Sequence, residues 1–168
     1  MGITQPNHLP HILDPEFDFR AWLSHAGQPA WRAKAVYGWL HARRADSFSD
    51  MTDLPHDLRQ QLDSELRIWT THIARHQVAE DGTEKLLLQL HDGQQIECVL
   101  LRDGIRRTVC ISSQVGCAMG CVFCASGLDG VIRNLTTGEI IEQLLRLTRL
   151  LPTEERLSHI VEIGRAHV

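Results

Sequence analysis

The chain has 168 residues, 43% of them hydrophobic and 23% charged, with a net charge of −4. That length suits one ordinary domain or two small ones, and no uncharged apolar run approaches the roughly 20 residues of a membrane helix. The acidic balance argues against a large phosphate-binding surface. It leaves room for local basic faces, with Arg102, Arg106, Arg107 and Arg133 as one candidate group and Arg32, Lys34, Arg43 and Arg44 as another.

Residues 1–14 carry Pro6, Pro10, His8 and His11 and read as a poorly ordered lead. No basic start precedes an apolar segment, so a cytoplasmic location is expected. Met1-Gly2 is not read as a lipidation signal, because residue 6 is proline and no polybasic patch follows. Asp14-Pro15-Glu16 opens a first predicted helix that runs to about His25, and Gly27-Gln28-Pro29 ends it. A second helix over 30–42 places Ala33, Val36, Tyr37 and Leu40 on one stripe, with Trp31 and Trp39 near its ends read as core. After a turn-rich link at 46–55, a third helix over 56–69 repeats Leu58, Leu62, Leu66 and Trp69.

The period then shortens. Strands are predicted at 72–79, 85–90 and 95–101, punctuated by Asp81-Gly82 and Asp92-Gly93, and another at 109–113 is buried through Val109 and Ile111. Thr136 and Glu139 form a capping-box pattern ahead of a helix whose stripe is Ile140, Ile141, Leu144, Leu145 and Thr148. A further strand spans 157–163. Strand, loop, helix, strand is the opening of a βα barrel.

Between that first βα strand and helix lie Cys117, Cys121 and Cys124, with glycines at 116, 120, 127 and 130. Thiolates are soft ligands suited to iron and zinc, and a glycine-rich loop can aim several of them at one centre. A fourth ligand is hard to find, since Cys110 lies on a strand and Cys98 in an earlier segment. Three thiolates with one vacancy describe a cubane iron-sulphur cluster with an open iron, whereas a structural zinc site would need a fourth ligand such as Cys110. An odd number of cysteines without a signal peptide disfavours a disulfide framework. Glu97, between Ile96 and the apolar 98–101 run, faces solvent under simple strand alternation.

The run from Cys117 to Cys124 resembles the cluster loop of radical S-adenosylmethionine (SAM) enzymes, and TVCISSQVGCAMGCVFCASGLDGVIRNL, Thr108 to Leu135, resembles the RlmN/Cfr adenine methyltransferases among them. The resemblance implies that Cys117, Cys121 and Cys124 bind a 4Fe-4S cluster whose open iron takes S-adenosylmethionine, with Phe123 shielding both from water. It implies that Glu97 is the acid/base for the adenine intermediate. Cys110 matches a cysteine that pairs transiently in a disulfide with a methyl-carrying cysteine near the C-terminus of the family. GQPAWRAKAVYGWLH resembles the family's accessory segment, which makes Arg32 and Lys34 candidate RNA contacts.

The implied fold is α+β, with a helical accessory domain (1–70), connecting antiparallel strands (71–102) and the start of a radical SAM partial (βα)6 barrel (103–161). The implied activity is methylation of adenine C2 in 23S rRNA, with tRNA as a second candidate substrate and a flavodoxin-like reducing partner. Two alternatives stand beside it. One is a C8-directed relative, disfavoured because Val115 stands where that pattern often has cysteine, and the other is a non-catalytic RNA-binding module with a structural metal. The family continues after SHIV into a glycine-rich GEP segment; here residues 162–168, EIGRAHV, follow instead, read as a non-native adapter-derived tail on a truncated, inactive fragment.

Overall fold

The computed structural model describes residues 9–118 and 130–163. They divide into two compact units, one ending at Trp69 and the other beginning at Thr70.

The first unit contains α1 (Phe19–His25), α2 (Arg32–His41), a 3₁₀ turn (Phe48–Asp50) and α3 (His56–Glu65). Its core joins Ala33, Val36, Leu40, Leu58, Leu62 and Leu66, on the predicted stripes, to Ile12, Phe19, Leu23, Phe48 and Met51. Helix α1 starts later than Asp14-Pro15-Glu16 suggested. Asp18 is the cap, its Oδ1 accepting from the Arg20 and Ala21 amides at 3.1 and 3.0 Å. The end of the lead is held in place, because the Arg67 amide donates to Pro10 O and the Ile12 amide to Arg67 O, both at 3.0 Å. That pairing also explains why α3 stops at Glu65, since Leu66 is already extended (φ −130°, ψ 165°). Trp31, read as core, is 68% exposed.

The second unit contains β1 (His72–Val78), β2 (Glu84–Gln89), β3 (Gln95–Asp103), β4 (Arg106–Ser112), β5 (Gln114–Gly116), β6 (Val131–Asn134), α4 (Thr137–Arg149) and β7 (His159–Ile163). The main sheet has the order β1-β2-β3-β4-β7, antiparallel up to β4 and parallel between β4 and β7. The predicted meander is therefore continuous with the first barrel strand, and among the described residues the sheet is open. Glu162 and Ile163, assigned from sequence to the tail, extend β7.

Strand alternation sends Leu86 and Leu88, Ile96, Cys98 and Leu100, and Val109 and Ile111 into one core with Leu147 and Leu151, against which Ile140 and Leu144 pack half-buried. The most enclosed positions of α4 include three polar ones, Glu139, Glu142 and Gln143. Each is satisfied. Gln143 exchanges two hydrogen bonds with the Ser112 backbone, accepting from its amide at 2.8 Å and donating to its carbonyl at 2.9 Å, so a side chain completes the pairing where β4 ends.

Glu142, 0% exposed, accepts from the Thr70 amide and hydroxyl (both 2.8 Å), from the Thr71 amide and hydroxyl (3.1 and 2.6 Å) and from Arg146 Nε (3.0 Å). The carboxylate thereby ties the start of this unit to α4. Replacing Glu142 by alanine strands those donors and the mostly buried Arg146 charge, and is expected to cost ~3–5 kcal/mol, read as a lower urea midpoint with an unchanged slope. A loss below about 1 kcal/mol would show that the tie is dispensable.

Candidate functional site

The sheet face turned away from α4 carries Lys85 and Leu87 on β2, Glu97, Val99 and Leu101 on β3, and Thr108 and Cys110 on β4, by strand alternation. The register pairs Val99 with Cys110, which puts Glu97 and Cys110 diagonally across one strand boundary on that face. The Ser112 hydroxyl donates to the Glu97 carbonyl at 2.8 Å and pins this end of the pair. The Glu97 side chain is about half exposed, and its Oε1 lies 2.9 Å from Lys85 Nζ. The solvent-facing orientation expected from alternation is observed, and Lys85, which sequence reasoning did not single out, is its ionic partner. A Lys two positions before the β2 residue opposite Glu97 is a signal that only the register reveals.

Cys98 and Cys110 sit on opposite faces of the sheet. Cys98 is fully buried against α4, and burial pushes its pKa from the ordinary 9.0 up to about 12. It is a neutral core thiol, so the fold gives up stability as pH rises past about 9, where only the unfolded chain loses that proton. Cys110 is half-buried and a free thiol, its pKa also raised by burial.

Downstream of β4 the chain forms a stem that sequence reasoning missed. Strands β5 and β6 pair antiparallel, the Leu135 amide donates to Ser113 O at 2.9 Å, and the Cys117 amide donates to Gly130 O at 3.0 Å. These contacts close the base of the cysteine loop. Cys117 is buried at its mouth, 7% exposed. Cys121, Phe123 and Cys124 lie outside the described residues, as do Gly120 and Gly127. Among the described residues no three His, Cys, Asp or Glu side chains converge as metal ligands.

Gly116 is required by the stem. Its φ is +79°, and a Cβ there would lie 2.0 Å from Gly130 O. Gly116→Ala is expected to cost ~1–3 kcal/mol and to open the stem, visible as faster amide exchange at Cys117 and Leu135. Protection equal to wild type would contradict that reading.

Arg133 secures the stem from outside. It forms a two-pronged pair with Glu139 at 2.8 Å for each contact, and its Nε donates to Asp92 at 2.7 Å. The Glu139 carboxylate, against some burial, and then Asp92 hold the Arg133 pKa above the ordinary arginine value. Arg102 is likewise paired with Glu84 and Arg107 with Glu155. The basic face expected of Arg102, Arg107 and Arg133 is thus largely neutralised within the fold. In the first unit Arg32 is half-buried and Lys34 exposed on α2.

The cysteine spacing fits a thiolate-held cluster. Cys117 is enclosed yet stands at the mouth of a loop whose base permits no side chain at Gly116. A βαβ unit in an open mixed sheet, with the cysteine-bearing segment following its first strand in sequence, is the arrangement of a radical SAM fold. A solved radical SAM methyltransferase from Sphaerobacter thermophilus superposes with a TM-score of 0.82 at 35% identity, over 91% of this chain and 47% of its own.

The family is narrower than the fold. Residues 15–68 match the family described as ribosomal RNA large subunit methyltransferase N-terminal domain. A protein named "Probable dual-specificity RNA methyltransferase RlmN" from Rhodopirellula baltica is 57% identical over 155 residues, 92% of this chain and 42% of its own length. Its namesake from Bacillus subtilis is 43% identical over 157 residues, 92% of this chain and 43% of its own. The chain matches the RlmN family of radical SAM methyltransferases and spans less than half the length of these curated relatives.

Proposed function

We propose that the chain is the N-terminal part of a radical SAM enzyme that methylates C2 of an adenine in 23S rRNA, with a tRNA adenine as second substrate. The observation that carries this reading is the register that sets Glu97 of β3 and Cys110 of β4 on one sheet face, with β4 followed through β5 by Cys117. Cys117, Cys121 and Cys124 would hold a 4Fe-4S cluster, with Phe123 shielding it and a reducing partner of the flavodoxin kind supplying electrons. The chemistry such a group would supply when bound there is the electron for reductive cleavage of S-adenosylmethionine.

The chain's own residues do the rest. Glu97 takes the proton that C2 must lose when hydrogen is exchanged for methyl, and Lys85 holds one of its oxygens so that the carboxylate is oriented over the face. Cys110 pairs transiently with the methyl-carrying cysteine of the full-length protein. Residues 1–70 form the accessory module, where Arg32 and Lys34 contribute to RNA contact. In this division, 71–102 form the connecting strands and 103–161 the start of the radical SAM core.

The test uses the full-length protein, reconstituted anaerobically with iron and sulphide and supplied with methyl-labelled S-adenosylmethionine and rRNA. Label in adenosine is expected. RNA that is bound but never labelled would favour an RNA-binding module with a structural metal.

A further inference from the structure

From Phe19 to Ala45 the sequence carries Arg20, Arg32, Lys34, Arg43 and Arg44 and no Asp or Glu, although the whole chain has a net charge of −4. Some of this charge is answered elsewhere, since Arg43 pairs with Asp53 at 2.9 Å. Arg32 and Lys34 make no ion pair among the described residues.

Beside them stands Trp31. The other tryptophans are half-buried against the core, and their indole N–H groups donate to Glu65 (Trp22, 2.8 Å), Asp53 (Trp39, 2.5 Å) and Asp46 O (Trp69, 2.7 Å). Trp31 has no such acceptor among the described residues and is 68% exposed. One face of its ring is taken by the Arg32 guanidinium, 5.4 Å from the ring centroid. Lys34, three residues on, shares its side of α2. One turn further, Gly38 raises no side chain, and the space above it is open.

An exposed aromatic flanked by unpaired cations, with no neighbouring aliphatic patch, is a poor protein hot spot and a poor membrane anchor. The other large hydrophobic side chains exposed among the described residues lie at Ile73 and beyond, in the second unit. The arrangement suits an unpaired nucleotide, whose base stacks on a ring while cations meet its phosphates.

We infer that Trp31 is a stacking platform for an unpaired base of the RNA substrate, with Arg32 closing the far side of the ring and Lys34 meeting the adjoining phosphate. This rests on the RNA reading above. Double-stranded RNA offers no free base face, so the contact selects for unpaired segments.

The experiment is fluorescence anisotropy with the full-length protein, using a labelled RNA hairpin with an unpaired adenine-containing loop and a fully paired duplex of the same length. Trp31→Ala is expected to weaken hairpin binding by about 5- to 150-fold, the range of one base-stacking contact, and to leave duplex binding unchanged. Trp31→Phe keeps most of the affinity, and Lys34→Ala lowers the salt dependence by about one counterion. Wild-type hairpin affinity in Trp31→Ala, or equal losses on hairpin and duplex, overturns this inference alone. Failure of the wild-type protein to bind or methylate either RNA overturns the RNA reading with it.

Discussion

Replacing Cys117, Cys121 or Cys124 by serine in the full-length protein is expected to abolish both cluster loading and RNA methylation. Serine cannot supply the soft thiolate that iron-sulphur ligation needs, and with three ligands there is no spare. The loss should exceed the ~100-fold that removing an outer-shell partner costs at a metal site. Iron and sulphide content with Mössbauer spectra measures it, and Cys98→Ala and Cys110→Ala serve as contrasts. Cys98 points into the α4 core as a neutral thiol, so its removal should leave the cluster in place. Cys110 is half-buried on the opposite face of the sheet. Its removal should also spare the cluster while impairing turnover. Stoichiometric zinc, lost on Cys110→Ala, would instead establish the four-ligand structural site.

Glu97→Gln should lower the rate of methyl transfer to RNA by ~10²–10⁴-fold with iron content unchanged. Glutamine keeps the size of the side chain and a hydrogen-bonding oxygen, yet cannot take a proton from the adenine ring. An initial-rate comparison on rRNA decides the matter. If the variant works at the wild-type rate, Glu97 is no more than half of a surface ion pair with Lys85, which is worth little by itself.

Much of this architecture was legible because apolar spacing records burial directly. Val36, Leu40, Leu58 and Leu62 follow the helical period and are buried, and Val109 and Ile111 follow the strand period and are buried too. What escaped was polar. The Thr136 and Glu139 capping box was read from its spacing, but nothing local showed that Glu139 also clamps Arg133 or that Glu142 gathers Thr70 and Thr71 from about seventy residues away. The ends of α1 and α3 were misplaced because capping and tertiary pairing set them: Asp18 outcompetes Asp14, and Arg67 is drawn into pairing with the lead. Trp31 was assigned to the core on residue type, whereas its place at the start of α2 leaves it outside. For the site, the cysteine spacing led to the expectation of a cluster, and the register supplied what spacing lacks, namely that Glu97, Lys85 and Cys110 share a face.

The measurement that bears most directly on the proposed activity is the position of the new methyl group. RNA treated with the reconstituted full-length protein and S-adenosylmethionine would be digested to nucleosides and the methylated adenosine assigned by mass spectrometry and NMR. The account predicts 2-methyladenosine, with loss of the C2 proton signal. An 8-methyladenosine product, or methylation at a ring nitrogen, would contradict it.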